Sequence, residues 1–204
     1  MGSASAGAHP ARAVSPVHLP NANVLLIHSA LGQAWADDTC ATLMTGVSWR
    51  TASIQMFGRR IPSPRLTAWV GNHAYTYSRL TWPPAPWGTT LRAIRQRVEE
   101  LTGASFNGVL LNLYRDGYDS MGWHSDDEPE LGRQPVIASL SLGAPRRFVF
   151  RALENHAHKC RLTLNHDSLL IMSGEPQYHW QHALPKTTKP VAARINLTFR
   201  WING

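Results

Sequence analysis

His124 and Asp126 stand two residues apart in the run Trp123-His124-Ser125-Asp126-Asp127-Glu128. Side chains of an extended chain alternate, so this imidazole and this carboxylate point the same way. One His and one carboxylate on a common face are two of the three ligands of a 2-His-1-carboxylate facial triad, the cage of non-haem Fe(II). The third ligand must then be a distant His. His166, His179 and His182 are candidates, while His156 and His158 fall in an expected loop. His-X-Asp alone is a weak signal, because a chain with 10 His produces it by chance and a polar turn explains it as well.

The last strand-like run, Arg194-Ile195-Asn196-Leu197-Thr198-Phe199-Arg200-Trp201, alternates almost perfectly. Arg194, Asn196, Thr198 and Arg200 share one face, and Ile195, Leu197, Phe199 and Trp201 share the other. Charged residues usually sit outside, so this segment by itself favours a solvated outer face. The alternative is an inner face built for a small dianion, since guanidinium forks bind carboxylates in paired hydrogen bonds. In Leu110-Leu111-Asn112-Leu113-Tyr114 a second polar face carries Asn112 and Tyr114. The conjunction is stronger than its parts: His-X-Asp, a downstream His and a late strand with two same-face Arg are what an Fe(II) enzyme using 2-oxoglutarate requires.

These residues must be positioned by a frame of short strands. Gly108–Tyr114, Pro135–Leu142, Arg147–Arg151, Cys160–Leu164, Ser168–Met172 and Ala193–Trp201 read as strands, separated by turn residues such as Arg115-Asp116-Gly117 and Gly143-Ala144-Pro145. Such a series suggests a sandwich, barrel or jelly roll. Upstream, Val24–Ile27 reads as a short strand and Ala30–Met44 as a helix. Thr90–Leu101 reads as a second helix with the apolar stripe Leu91, Ile94, Val98 and Leu101, stopped by Gly103. Between the helices, Arg50–Thr81 is β-like, with Pro62 and Pro64 as breakers. Residues 1–20, rich in Ala, Ser and Pro, read as a loose tail.

The chain has 204 residues, 43% of them apolar and 16% charged, enough for a packed core. No apolar run reaches the roughly 18 residues of a membrane span, and the start lacks a signal-peptide pattern. Two cysteines, Cys40 and Cys160, cannot supply a disulfide framework or a Cys-rich zinc site. The expectation is a cytoplasmic protein, or a nuclear one in a eukaryotic source, that is monomeric and has no membrane partner. The net charge is +7, and the excess lies in residues 39–98, which hold eight Arg and no Asp or Glu. The same block holds Trp49, Phe57, Trp69, Tyr75, Tyr77, Trp82 and Trp87. Arginines neutralise phosphates and aromatic faces stack on bases, so the block points to nucleic acid. A basic surface over an aromatic core is the competing explanation.

With these motifs in view, the sequence resembles the AlkB family of Fe(II)/2-oxoglutarate dioxygenases. The resemblance runs from about Ser53 to Trp201. It rests on Asn112-Leu113-Tyr114, the stretch from Trp123 to Glu128, Ile137-Ala138-Ser139-Leu140-Ser141-Leu142-Gly143, Trp180-Gln181-His182 and the stretch from Arg194 to Arg200. It implies a mainly β fold with flanking helices: a double-stranded β-helix, or jelly roll, with an N-terminal nucleotide-recognition lid. The implied organisation is a flexible tail over 1–22, an N-terminal extension and lid over 23–104, and the dioxygenase core over 105–204. By the resemblance, His124, Asp126 and His182 hold Fe(II). Arg194 pairs with the remote carboxylate of 2-oxoglutarate, Arg200 reaches its metal-bound end, and Asn112, Tyr114 and Asn196 hydrogen-bond it. This reverses the solvated-face reading of the last strand.

The implied reaction is oxidative demethylation of N1-methyladenine and N3-methylcytosine in DNA. It consumes O2 and 2-oxoglutarate and releases formaldehyde. Asp127 and Glu128 then lie near the cationic base, with a solvated acidic loop over Asp127, Glu128 and Glu130 as the competing explanation; Tyr75 and Tyr77 match the lid, and Tyr77 stacks on the flipped base opposite His124. Met56-Phe57-Gly58 resembles the hairpin of duplex-acting members, with Phe57 as a wedge in the gap left by the extruded base; a core residue of a lid strand is the competing explanation. Arg146 and Arg147 are candidates for phosphate contact, against ordinary surface arginines. The rival readings are a 2-oxoglutarate dioxygenase acting on RNA or protein, and a non-catalytic nucleic-acid-binding module.

Overall fold

A computed structural model describes residues 13–56, 59–77 and 80–203. Eight strands form one antiparallel sheet in the order β1-β2-β12-β9-β14-β7-β4-β3. They are β1 (Val14–Leu19), β2 (Ala22–Ile27), β3 (Arg50–Met56), β4 (Arg59–Gly71), β7 (Gly108–Tyr114), β9 (Ile137–Gly143), β12 (Ser168–Ser173) and β14 (Arg194–Arg200). A second sheet has the order β11-β10-β13-β8. It is built from β8 (Met121–His124), β10 (Arg146–Ala152), β11 (Lys159–Leu164) and β13 (Trp180–Leu184). The short strands β5 (Tyr75–Tyr77) and β6 (Leu80–Trp82) pair separately. The helices are α1 (Gln33–Gly46), α2 (Thr89–Thr102) and the single turn α3 (Pro176–His179). This is the jelly roll with flanking helices that the resemblance implied. No helix among the described residues is long and apolar enough to cross a membrane.

The large sheet is covered on both faces. One face carries Val109, Leu111, Leu113, Leu140, Leu142, Ile195, Leu197 and Phe199, which pack with α1 and α2 residues such as Leu43, Leu91, Ile94 and Val98. Burying each of these α2 side chains is worth about 1.5–3 kcal/mol. The helix ends as its sequence dictates, with Gly103 at φ 68 donating its N–H to Glu99 O. The other face looks into the space between the sheets, where Leu110, Tyr114, Phe148, Phe150, Met172 and Leu184 pack together.

Double coverage corrects the first reading of β14. Arg194, Asn196, Thr198 and Arg200 are 2%, 7%, 6% and 3% exposed, so their face is internal. Alternation in this strand separates a helix-facing layer from an inter-sheet layer rather than core from solvent.

Two further expectations change. The tail expected over residues 1–22 overlaps β1, which pairs with β2 from Val14↔Ile27 to Leu19↔Ala22. Val17 and Leu19 are buried there, a gain that Ala- and Pro-rich composition does not reveal. Since β1 to β4 belong to the large sheet, that sheet crosses the 104/105 boundary. Pro62 and Pro64 do not break β4 either. Its pairing with β7 begins at Leu66, and the pairing with β3 shifts register between Thr51 and Ser53. Prolines are tolerated at such irregular positions.

Candidate active site

β8 and β13 pair so that His124 faces His182 in direct register. Their rings stand 4.2 Å apart at 67°. Asp126 follows β8 by two residues and turns its carboxylate between them, with Oδ1 4.0 Å from His124 Nε2 and Oδ2 3.5 Å from His182 Nε2. One donor atom from each of the three residues lies within 4.8 Å of the others, and no other such group occurs among the described residues. His182 is held by a stacked Phe148, 5.2 Å away at 25°.

The protonation states suit a cation. His124 Nδ1 contacts Gly122 O at 2.9 Å, which as an N–H donor leaves the Nε2 lone pair pointing inward. Desolvation, and then the neighbouring His182, push the His124 pKa down to about 3. Burial alone would raise the Asp126 pKa, but Arg200 and the two imidazoles outweigh it and hold the carboxyl well below its usual range. Two imidazoles and one buried carboxylate are the donor set of the facial triad, and the residues present fit Fe(II). His166 and His179, the other candidates, lie elsewhere: His166 Nδ1 accepts from Gly143 N at 2.8 Å, and His179 Nε2 lies 3.7 Å from Glu175.

A pocket between the sheets opens from this triad, lined by Asn112, Tyr114, Arg194, Asn196 and Arg200. Arg194 donates to Ser141 Oγ at 2.8 Å and lies 5.3 Å from the Tyr114 ring, but its Nε has no partner. Burial lowers its pKa to about 10. Arg200 donates through Nη2 to Asp126 Oδ1 at 2.6 Å, leaving Nε and Nη1 unpartnered. Buried guanidinium nitrogens without partners are costly, and the carboxylates of a dianion would satisfy them. Here too the donor set fits 2-oxoglutarate. Asn196 is more committed than expected: Nδ2 donates to Ser139 Oγ and Leu140 O, and Oδ1 accepts from Thr198.

The substrate side is mixed. Asp127 is exposed beside the triad. Glu128 is partly buried, and burial raises its pKa against the opposing pull of Arg200. Tyr75 is fully buried, stacked on Trp69 at 4.6 Å, with the Arg200 guanidinium 5.3 Å from its ring. Tyr77 lies on β5, but its side chain, like Phe57 as a whole, lies outside the described residues.

Arg146 is not a phosphate ligand. It is 3% exposed and donates to the carbonyls of Asp116, Asp119 and Pro185. Much of the basic block is likewise engaged within the protein. Arg92 donates to Trp87 O, Arg95 lies over the Trp87 ring, Arg97 pairs with Glu100, and Arg65 is buried.

Arg65 is the residue that sequence reasoning missed. Along β4, Ser63, Arg65, Thr67 and Trp69 are buried on the inter-sheet side while Leu66, Ala68 and Val70 pack toward the helices. That alternation was the available signal.

The comparisons agree with this site. The 2OG-Fe(II) oxygenase superfamily model matches residues 23–200. The human DNA oxidative demethylase ALKBH2 is 43% identical over 183 residues, covering 84% of this chain and 70% of that protein. The chain belongs to the AlkB family. A second human AlkB relative, alpha-ketoglutarate-dependent dioxygenase alkB homolog 3, is 50% identical over 148 residues. That match covers 68% of this chain and 52% of the relative, so this chain spans about half its length. The solved OsALKBH1 structure superposes with a TM-score of 0.67 at 16% identity, over 92% of this chain and 100% of that one, and shares the fold. Asp126, His182, Arg194 and Arg200 are buried, His124 is partly exposed, and all five line one pocket.

Proposed function

We propose that this chain is an Fe(II)- and 2-oxoglutarate-dependent dioxygenase that removes methyl groups from N1-methyladenine and N3-methylcytosine in DNA. The observation that carries this reading is the His124–Asp126–His182 triad opening onto a pocket with a buried guanidinium, Arg194, whose Nε has no partner. The named activity of the ALKBH2 relatives supports DNA as the substrate. When bound, iron with 2-oxoglutarate and O2 supplies the oxidation that converts an N-methyl group to a hydroxymethyl group, which leaves as formaldehyde, with succinate and CO2 formed alongside.

The chain's own residues hold and orient. His124, Asp126 and His182 offer three donors on one side of the metal position and leave the other side to the pocket. Arg194 takes the remote carboxylate of 2-oxoglutarate, Asn112 and Tyr114 line its path, and Arg200 fixes the Asp126 carboxylate while facing the near carboxylate. Phe148 and Phe150 keep the inter-sheet space dry. Asp127 and Glu128 attract the cationic damaged base at the rim. By the sequence resemblance, Tyr77 is the residue to stack on the base and Phe57 the one to fill the vacated stack in duplex DNA.

The test is purified protein with Fe(II), 2-oxoglutarate and ascorbate on single-stranded and duplex oligonucleotides carrying one methylated base, with methyl loss followed by mass spectrometry. Loss that depends on 2-oxoglutarate is the expected result. No loss from a protein that binds both iron and 2-oxoglutarate would defeat the DNA assignment and direct the assay to RNA.

A further inference from the structure

Arg65 is 4% exposed, yet no carboxylate pairs with it among the described residues. Its Nε donates to Asn112 Oδ1 at 2.8 Å and its Nη1 to Ser63 Oγ at 3.0 Å. β4 pairs with β7 through Leu66↔Leu113 and Thr67↔Asn112. Arg65 therefore sits diagonally from Asn112 on the inter-sheet face, within reach of a long side chain.

This contact decides which end of the Asn112 amide meets the pocket. A carboxamide has an acceptor end and a donor end, and either can be turned to a given neighbour. A guanidinium offers only donors, so it binds the oxygen and rejects the NH2 group. With Oδ1 held by Arg65, the Asn112 NH2 group is left for the pocket that Asn112 lines, and nothing among the described residues accepts from it. Asn196 differs, since its NH2 group already donates to Ser139 and Leu140. Flipping Asn112 would set NH2 against a cation and turn an oxygen toward an incoming dianion, both unfavourable.

We propose that Arg65 is a positioning residue that locks the Asn112 carboxamide with its NH2 group toward the pocket, as a hydrogen-bond donor to 2-oxoglutarate. The proposal rests on the cosubstrate reading above. The Ser63 hydroxyl holds the fork, which is why a guanidinium rather than an ammonium occupies this position.

The test titrates 2-oxoglutarate into anaerobic Fe(II)-loaded protein and follows the visible charge-transfer absorption, for the wild type, Arg65→Met, Arg65→Lys, Asn112→Ala and the double variants. Arg65→Met is expected to weaken 2-oxoglutarate binding about tenfold, the scale of one charge-assisted hydrogen bond. Arg65→Lys should fall between it and the wild type. The losses should not add, so Arg65→Met/Asn112→Ala binds no worse than Asn112→Ala alone. In turnover, KM for 2-oxoglutarate rises, while Fe(II) affinity and KM for the oligonucleotide stay at wild-type values. Unchanged binding in Arg65→Met, or additive losses, would overturn the proposal. If Arg65→Met does not fold, Arg65→Lys carries the cycle, and wild-type affinity or additivity with Asn112→Ala would overturn it. A wild-type chain that takes Fe(II) but shows no saturable 2-oxoglutarate binding overturns the cosubstrate reading together with this one.

Discussion

His124 and His182 oppose each other across the β8–β13 pair, and Asp126 lies between their Nε2 atoms and the Arg200 guanidinium. The acid therefore serves two neighbours, a metal position and a buried cation. Asp126→Ala should abolish iron binding and turnover. It should also cost about 3–5 kcal/mol of stability, because Arg200 is left buried and unpaired. His182→Ala should abolish turnover with a smaller loss of stability. Iron content and urea denaturation of both variants check this, and equal stability losses would refute the dual role of Asp126.

How much of this was legible follows from local physics. The spacing of His124 and Asp126 gave a common face because a chain with period two needs no knowledge of its partners. β8 and β13 themselves were not read as strands. Met121-Gly122-Trp123-His124 and Trp180-Gln181-His182-Ala183-Leu184 contain no β-branched residue and no clean alternation, and pairing with each other makes them strands. The two faces of β14 were readable, but not which was internal, since a helix layer outside the sheet is a tertiary fact. Arg65 was hidden by Pro62 and Pro64, which read as breakers although β4 runs through both. β1 was hidden by composition.

Arg194 carries a charge that the fold alone leaves unpaired, so binding and stability should separate there. Arg194→Met removes a buried guanidinium with an orphaned Nε and keeps most of the volume. Replacing buried ionic groups by apolar chains of similar volume is often neutral or stabilising. The protein without cosubstrate should therefore melt at the same or a higher temperature, while 2-oxoglutarate affinity collapses. Calorimetry with and without 2-oxoglutarate tests both halves. A large drop in melting temperature would mean that Arg194 serves the fold.

Asp119 gives a pH prediction away from the site. Its carboxyl is 6% exposed and accepts from Arg115 Nε and Nη2 at 2.8 Å and 2.9 Å and from Arg115 N at 2.9 Å. Burial alone would raise its pKa, but those bonds and the charge of Arg146 bring it below the ordinary carboxylate value. A depressed folded pKa gives stability that is present above the unfolded value and disappears as pH falls through the folded one. Urea midpoints should fall on acidification below about pH 4, and the Asp119→Asn variant should lose less over the same interval. Parallel pH profiles for the two proteins would contradict this.

Gly108 controls the link between the core and β5. A Cβ there would stand 2.2 Å and 2.6 Å from two atoms of the Trp69 indole, an approach that forces the ring to move. Trp69 is 4% exposed, donates to His73 O at 3.0 Å and stacks on Tyr75, whose hydroxyl acts electrostatically on Glu128. Displacing it should travel along that chain toward the base-facing rim and leave the far side of the pocket undisturbed. Gly108→Ala is therefore expected to cost about 1–3 kcal/mol of stability, as overpacked cores do. In surviving protein it should raise KM for methylated DNA while KM for 2-oxoglutarate stays near the wild-type value. Urea denaturation and steady-state kinetics with both substrates check this. A KM rise for 2-oxoglutarate alone would show that Trp69 supports the cosubstrate side, and would sever the proposed path from Gly108 through Tyr75 to Glu128.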